Sequence, residues 1–117
     1  MAEAARRTRR GRLSRAADFE RVYRQGRSQG NRYLVLYSFP RAGEEVPRLG
    51  VSVSRKVGGA VDRNRVKRLL RDAFWSLGDE LPAGHDYVIV ARPEARALGE
   101  RDGLEGFRRA LAELIAA

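Results

Sequence analysis

The chain has 117 residues, 43% of them hydrophobic, and a formal net charge of +9. That length suits one domain able to bury its own core, and charged residues at 33% add a strongly ionic surface to it rather than making the chain disordered. Cysteine is absent, which excludes disulfides and thiolate metal sites and suits a cytoplasmic location; no apolar run nears the ~20 residues of a membrane span, and no apolar segment follows the basic N-terminus as a secretory signal requires.

Residues 1–12 are polar, Arg-rich and aperiodic, and they read as a flexible basic tail ahead of a domain over 13–117. Ser14 is the expected N-cap of a first helix over about 15–25. Phe19, Val22 and Tyr23 follow its i, i+3, i+4 spacing, and Gly26 closes it at the C′ position. A short strand near Arg27–Gly30 is weakly signalled. From Tyr33 to Phe39 the period changes to two: Tyr33, Val35, Tyr37 and Phe39 point one way, and Leu34, Leu36 and Ser38 the other. Both faces carry apolar groups, so one side is expected to be covered and the other to line a groove. The stretch Pro40–Pro47 has turn composition. A second strand over 48–54 alternates Leu49, Val51 and Val53 against Gly50, Ser52 and Ser54, and the short connection predicts that it pairs antiparallel with the first.

Gly58-Gly59 marks a loop, and a central helix then runs from about Asp62 to Leu77, stopped by Gly78 and Pro82. Tyr87–Ala91 reads as a buried strand. A last helix places Leu104, Phe107, Leu111, Leu114 and Ile115 on one face. The order is α-β-β-β-α-β-α, an α+β domain with helices against a four-stranded mixed sheet. Strand 48–54, the central helix and strand 86–91 form its β-α-β unit.

Charge is concentrated in two blocks. Residues 1–15 carry six Arg against one Glu, and residues 55–71 carry seven cations against Asp62 alone, whereas residues 72–117 carry five Arg against nine acids. Only Lys56 and Lys67 of the 24 cations are lysine, and arginine's planar fork suits phosphate and stacks on bases. On the central helix, Val66, Leu69, Leu70, Ala73, Phe74 and Leu77 gather on one side; Arg63, Asn64, Lys67, Arg68, Arg71 and Trp75 gather on the other, with Arg65 at the boundary. A merely solvated face would mix signs at i,i+4 spacing. Here Arg63 and Lys67, then Lys67 and Arg71, are like-charge pairs, and Arg63 and Arg65 sit near a helix N-terminus that disfavours cations. The Gly pair lacks the Lys-Ser/Thr ending of a nucleotide loop, so an extended polyanion fits better than a mononucleotide.

These residues resemble the protein subunit of bacterial ribonuclease P. Its signature is an Arg-Asn-Arg core after a glycine-containing loop, here Arg63-Asn64-Arg65, followed by Lys67, Arg68 and Arg71 and preceded by Val51-Ser52-Val53-Ser54-Arg55-Lys56. Arg12-Leu13, the Asp18-Phe19…Val22-Tyr23 helix, Asn31-Arg32…Val35-Leu36-Tyr37 and Asp86–Arg92 are similar to its other elements, so the resemblance spans roughly residues 12–115. It implies a ribosomal-protein-like fold with a left-handed β-α-β crossover. It also implies a role as the 1:1 partner of a catalytic RNA, which uses Mg2+ held mainly by the RNA to remove the 5′ leader of precursor tRNA. No cofactor tightly bound to the protein is expected. By position, Arg55, Lys56, Arg63, Asn64, Arg65, Lys67, Arg68 and Arg71 would contact the catalytic RNA. Phe19, Tyr23, Tyr37, Arg12 and Ser52 would contact the leader; ordinary core packing is the alternative for the three aromatics and the favoured one for Phe19. Catalytic residues on the protein are not expected. The only histidine, His85, reads as a turn residue, and the acids, Asp79, Glu80, Glu94, Glu100, Asp102, Glu105 and Glu113 among them, are scattered. A structural RNA-binding protein of ribosomal type explains the charge as well but needs no aromatic groove. A DNA-binding protein would need a dimer element or helix-turn-helix spacing that is not seen.

Overall fold

The structure is a computed structural model that describes residues 11–41, 46–78, 81 and 84–116. Eight elements follow one another: β1 (Gly11–Arg12), α1 (Ala16–Gln25), β2 (Arg27–Gly30), β3 (Leu34–Pro40), β4 (Arg48–Val53), α2 (Ala60–Ser76), β5 (His85–Ala91) and α3 (Ala95–Ala116). The α+β reading holds, with one addition. Gly11 and Arg12, read from sequence as the end of the tail, form a two-residue strand parallel to β4, so the sheet has five strands rather than four. The rest of that tail, the turn residues 42–45, Asp79, Glu80 and Pro82 lie outside the described residues.

The sheet order is β1-β4-β5-β3-β2. This corrects the expected pairing of the 33–39 and 48–54 strands. β5 lies between them, parallel to β4 and antiparallel to β3. Sequence proximity favoured the hairpin, but β5 is the most apolar strand and takes the centre of the sheet, between β4 and β3. The β4-α2-β5 unit forms as read, and β2 forms over Arg27–Gly30 against β3.

Alternation sorts side chains to two faces. Leu34, Leu36, Leu49, Val51, Val53, Tyr87, Ile89 and Ala91 face α2 and α3, and with Val66, Leu70, Ala73, Phe74, Phe107 and Leu111 they make the main core. The opposite face carries a second, small core of Leu13, Val22 and Val88, edged by Phe19, Tyr37, Phe39 and Val90, with α1 across it. Tyr33 departs from its predicted alternation and packs with the main core. Asn31 is the reason: its Oδ1 accepts from the backbone N–H groups of Tyr33 (3.0 Å) and Leu34 (2.9 Å), so Tyr33 sits in a side-chain-closed turn and the strand begins one residue later.

Four local expectations also change. The N-cap of α1 is Arg15, without a side-chain bond, rather than Ser14. Gly26 does end α1, its N–H bonding to the Val22 carbonyl at 2.9 Å, but in an extended rather than a left-handed conformation. The last helix starts at Ala95, well before the apolar face read from Leu104 onward. It is broken at Gly103, whose φ of +57° is a conformation that only glycine adopts without strain. The break moves Leu104 out to 39% exposure and lets Ala95, Leu98 and Gly99 join the buried face. His85 is the first residue of β5 rather than a turn residue, its ring stacked on Tyr87 at 5.8 Å.

Candidate nucleic-acid interface

Helix α2 is anchored by the face predicted for it. Val66, Leu70, Ala73 and Phe74 are buried, Leu77 caps the end, and Leu69 packs at the edge. Burying those side chains against the sheet fixes the helix rotation, and that rotation turns the cations outward. Asn64, Arg65 and Arg68 are exposed; Arg63, Lys67 and Arg71 are half-buried along their stems. Among the described residues none of these five cations makes an ion pair. Asp62, the acid that brackets the stripe, is drawn away by Arg96 of α3 at 3.3 Å, which in turn meets Glu100 at 3.4 Å. Arg55 and Lys56 extend the cationic surface into the preceding turn. There the buried Val57 is the anchor, and Ser54 accepts from the N–H groups of Val57 and Lys56. Trp75 does not join the stripe as an exposed ring. It packs edge-on against Phe74 at 5.0 Å and closes the rim of the main core.

On the other face, α1 is only ten residues long and covers part of the sheet. Phe19 lies directly over Gly50: a Cβ there would come 2.5 Å from the ring, so the close approach requires a glycine. Phe19 meets Tyr23 at 6.3 Å, and Tyr23 meets Tyr37 edge-to-face at 5.0 Å. The three aromatics read from sequence are therefore one contiguous cluster, and Tyr23 is its most open member at 38% exposure. Partial burial raises the Tyr23 phenol above its ordinary pKa. A hydrogen bond with Ser52 opposes this, and the nearby Tyr37 adds to it. Ser52 stands beside Val90, and Val90 beside Val35, in the row of the sheet that α1 leaves uncovered. These half-buried valines and the aromatics share the half-covered side of the sheet, the cleft face. Arg92, at the end of the same row, lies 3.2 Å from where a Gly30 Cβ would stand. From sequence Val35 was placed on the face of Tyr37, but neither the valines nor Arg92 were given a contact role. Their signal was the alternation of β3 and β5, which puts 35, 37, 88 and 90 on one face.

Arg12 is not grouped with the aromatics. It pairs with Leu49, which faces the main core, while Leu13 takes the cleft side. The exposed Arg12 is instead a neighbour of Arg71. Burial, and then the charge of Arg12, hold the Arg71 guanidinium below its ordinary pKa.

A buried ion-pair network, also not read from sequence, closes one end of the cleft face. Asp86 is 1% exposed and receives two bonds from Arg48, Nε to Oδ1 at 2.8 Å and Nη2 to Oδ2 at 2.7 Å. These bonds raise the Arg48 pKa above its ordinary value, with burial opposing. Arg41 Nε lies 3.0 Å from the Asp86 Oδ1. Arg48 Nη1 lies 3.7 Å from the Asp18 Oδ2 on α1. A lone carboxylate heading an apolar strand was the available clue.

A family model described as Ribonuclease P matches residues 8–115. The ribonuclease P protein component of Shouchella clausii is 45% identical over 91 residues, 78% of this chain and 75% of that protein. The structure resembles the ribonuclease P protein of Staphylococcus aureus, with a TM-score of 0.78 and 32% identity over 90% of this chain and 92% of that one. It likewise resembles that of Thermotoga maritima, with a TM-score of 0.79 and 33% identity over 89% and 94%.

Proposed function

As the chain belongs to the ribonuclease P protein family, it is the protein component of an endoribonuclease complex, and we propose that it divides two RNA contacts between two surfaces. The α2 stripe with Arg55 and Lys56 docks on the catalytic RNA. The cleft of Phe19, Tyr23 and Tyr37, with Ser52 and the rim cation Arg92, holds the single-stranded 5′ leader of precursor tRNA. Arg12 belongs in this reading to the α2 side, where it and Arg71 face one phosphate path.

The observation that carries the reading is the separation of the two chemistries. Cations without ion-pair partners among the described residues lie on a helix rigidly seated on the main core. Aromatics in mutual contact lie on the far face of the sheet. A duplex or folded RNA backbone is met by forks and charge, whereas single-stranded bases need flat apolar platforms with hydrogen-bonding groups beside them. Among the described residues no three Asp, Glu or His side chains gather into a donor set for a metal. In this reading cleavage belongs to the RNA partner, which binds Mg2+, with one protein per RNA in the cytoplasm. The protein binds and orients.

Reconstitution tests this. Mixed with a bacterial catalytic RNA at physiological magnesium, the chain is expected to stimulate 5′ processing of precursor tRNA and to cleave nothing by itself. A catalytic RNA equally active with and without the chain would contradict the proposal.

A further inference from the structure

The Asp86 network has no part in either RNA contact, yet it touches α1, the element that carries two of the three aromatics. Helix α1 is lightly held. Its N-cap makes no side-chain bond, and only Val22 of its ten residues is buried, in a core of three residues. Apolar contacts of that size fix the helix to the sheet but leave its pitch and roll loosely determined. A further, polar contact is needed to set them.

Arg48 supplies one. Its Nε and Nη2 are fixed as a fork on the two oxygens of Asp86, which is 1% exposed. A bidentate pair of this kind admits one orientation of the guanidinium plane. The remaining nitrogen, Nη1, is thereby aimed at Asp18, 3.7 Å away and next in sequence to Phe19. The other Asp18 oxygen meets Arg21 of α1 itself at 3.6 Å; Arg48→Lys, unlike a change at Asp18, leaves that second pair in place. Arg41 adds a second cation at 3.0 Å to Asp86, so the buried carboxylate keeps a partner even while Arg48 reaches outward.

We infer that Arg48 is a positioning residue of the leader cleft: clamped by Asp86 and reaching Asp18, it sets where α1 holds Phe19 and Tyr23 over the sheet. The inference rests on the cleft reading above. A lysine has one nitrogen and cannot hold Asp86 as a fork while reaching Asp18, so the geometry asks for arginine and not for positive charge alone.

The test compares precursor with mature tRNA binding in the complex reconstituted with catalytic RNA, for the parent and four variants, with thermal unfolding of each. Asp18→Asn leaves the Arg48–Asp86 fork intact, so it is expected to fold with little change in Tm. It should lower the precursor-to-mature affinity ratio about fivefold, the upper end for one partly exposed ion pair. Asp18→Glu, which restores a carboxylate, should recover most of the ratio. Arg48→Lys should lower the ratio at least as far as Asp18→Asn. Tyr37→Ala is the control for the cleft itself. If Tyr37→Ala lowers the ratio and Asp18→Asn does not, the positioning role is overturned and the cleft stands. If Tyr37→Ala leaves the ratio unchanged, the cleft reading fails and the inference fails with it. A fall in Tm with equal losses for both tRNAs means a purely structural ion pair and also overturns the role.

Discussion

The two faces of the sheet are built from the same strands yet do opposite things. One buries Leu34, Leu36, Val51, Ile89 and their neighbours beneath α2 and α3 in a continuous core. The other buries Leu13, Val22 and Val88 beneath α1 and leaves Val35, Val90, Tyr23 and Tyr37 partly open. The first face holds the molecule together, and in doing so it fixes the outward rotation of the α2 cations. The second is left incomplete, and its large rings are in contact with one another and with solvent. A sheet face that is only half covered offers apolar area to a ligand at little cost in stability, because most of the folding free energy comes from the closed side.

Truncating one ring on each face sharpens the contrast most. Phe74 is fully buried in the main core, so Phe74→Ala should lower the unfolding free energy by about 3–5 kcal/mol. Tyr37→Ala, at a partly exposed site, should cost less than half of that. Denaturant titration measures both, and equal losses would mean that the cleft face is core after all.

Alkaline pH provides the next test. Tyr87 is 3% exposed on the closed side, and burial pushes its phenol up to about 12 from 10.0. A raised phenol pKa favours the protonated, folded form. Its contribution is therefore complete below pH 10 and is lost as pH rises from 10 through about 12, by up to ~2.7 kcal/mol at ~1.36 kcal/mol per unit. Tyr87→Phe should flatten the stability profile in that window. A profile just as steep in the variant would place the alkaline transition elsewhere.

The smallest effect separates α2 from α3, which pack side by side. On α3, Arg96, Arg108 and Arg109 meet Glu100, Glu105 and Asp102 within 2.8–3.4 Å. The α2 cations make no such pairs among the described residues. Arg68→Ala should reduce the slope of log affinity for the catalytic RNA against log salt by about 0.7–0.9, one phosphate contact. Arg108→Ala should leave the slope unchanged. Equal changes would show that net charge, rather than the α2 stripe, drives binding.

The closed face was the legible one. The apolar spacing of Val66, Leu70 and Phe74 and the alternation of Leu49, Val51 and Val53 named core residues that are buried in the structure, because burial dictates periodicity directly. Strand pairing was less legible. β5 enters between β3 and β4 from more than thirty residues away, and local turn chemistry carries no trace of that. The first turns of α3 and the break at Gly103 were missed because the apolar face was read only from Leu104 onward, and the break shifts the helical phase between the two halves. For the candidate site, Phe19, Tyr23 and Tyr37 were found and do touch. Arg12 was grouped with them by sequence resemblance, whereas strand register turns it to the other face. The Arg48–Asp86 fork joins residues 38 positions apart, a distance over which a sequence shows charges but not partners.

The two surfaces are expected to hold two different RNAs. Site-specific photo-crosslinking in the reconstituted complex distinguishes them, with a photoreactive side chain at position 37 in one sample and at position 68 in another, and with precursor tRNA bound. Position 37 should crosslink to the 5′ leader and position 68 to the catalytic RNA. Leader crosslinks from position 68, or catalytic-RNA crosslinks alone from position 37, would contradict that division.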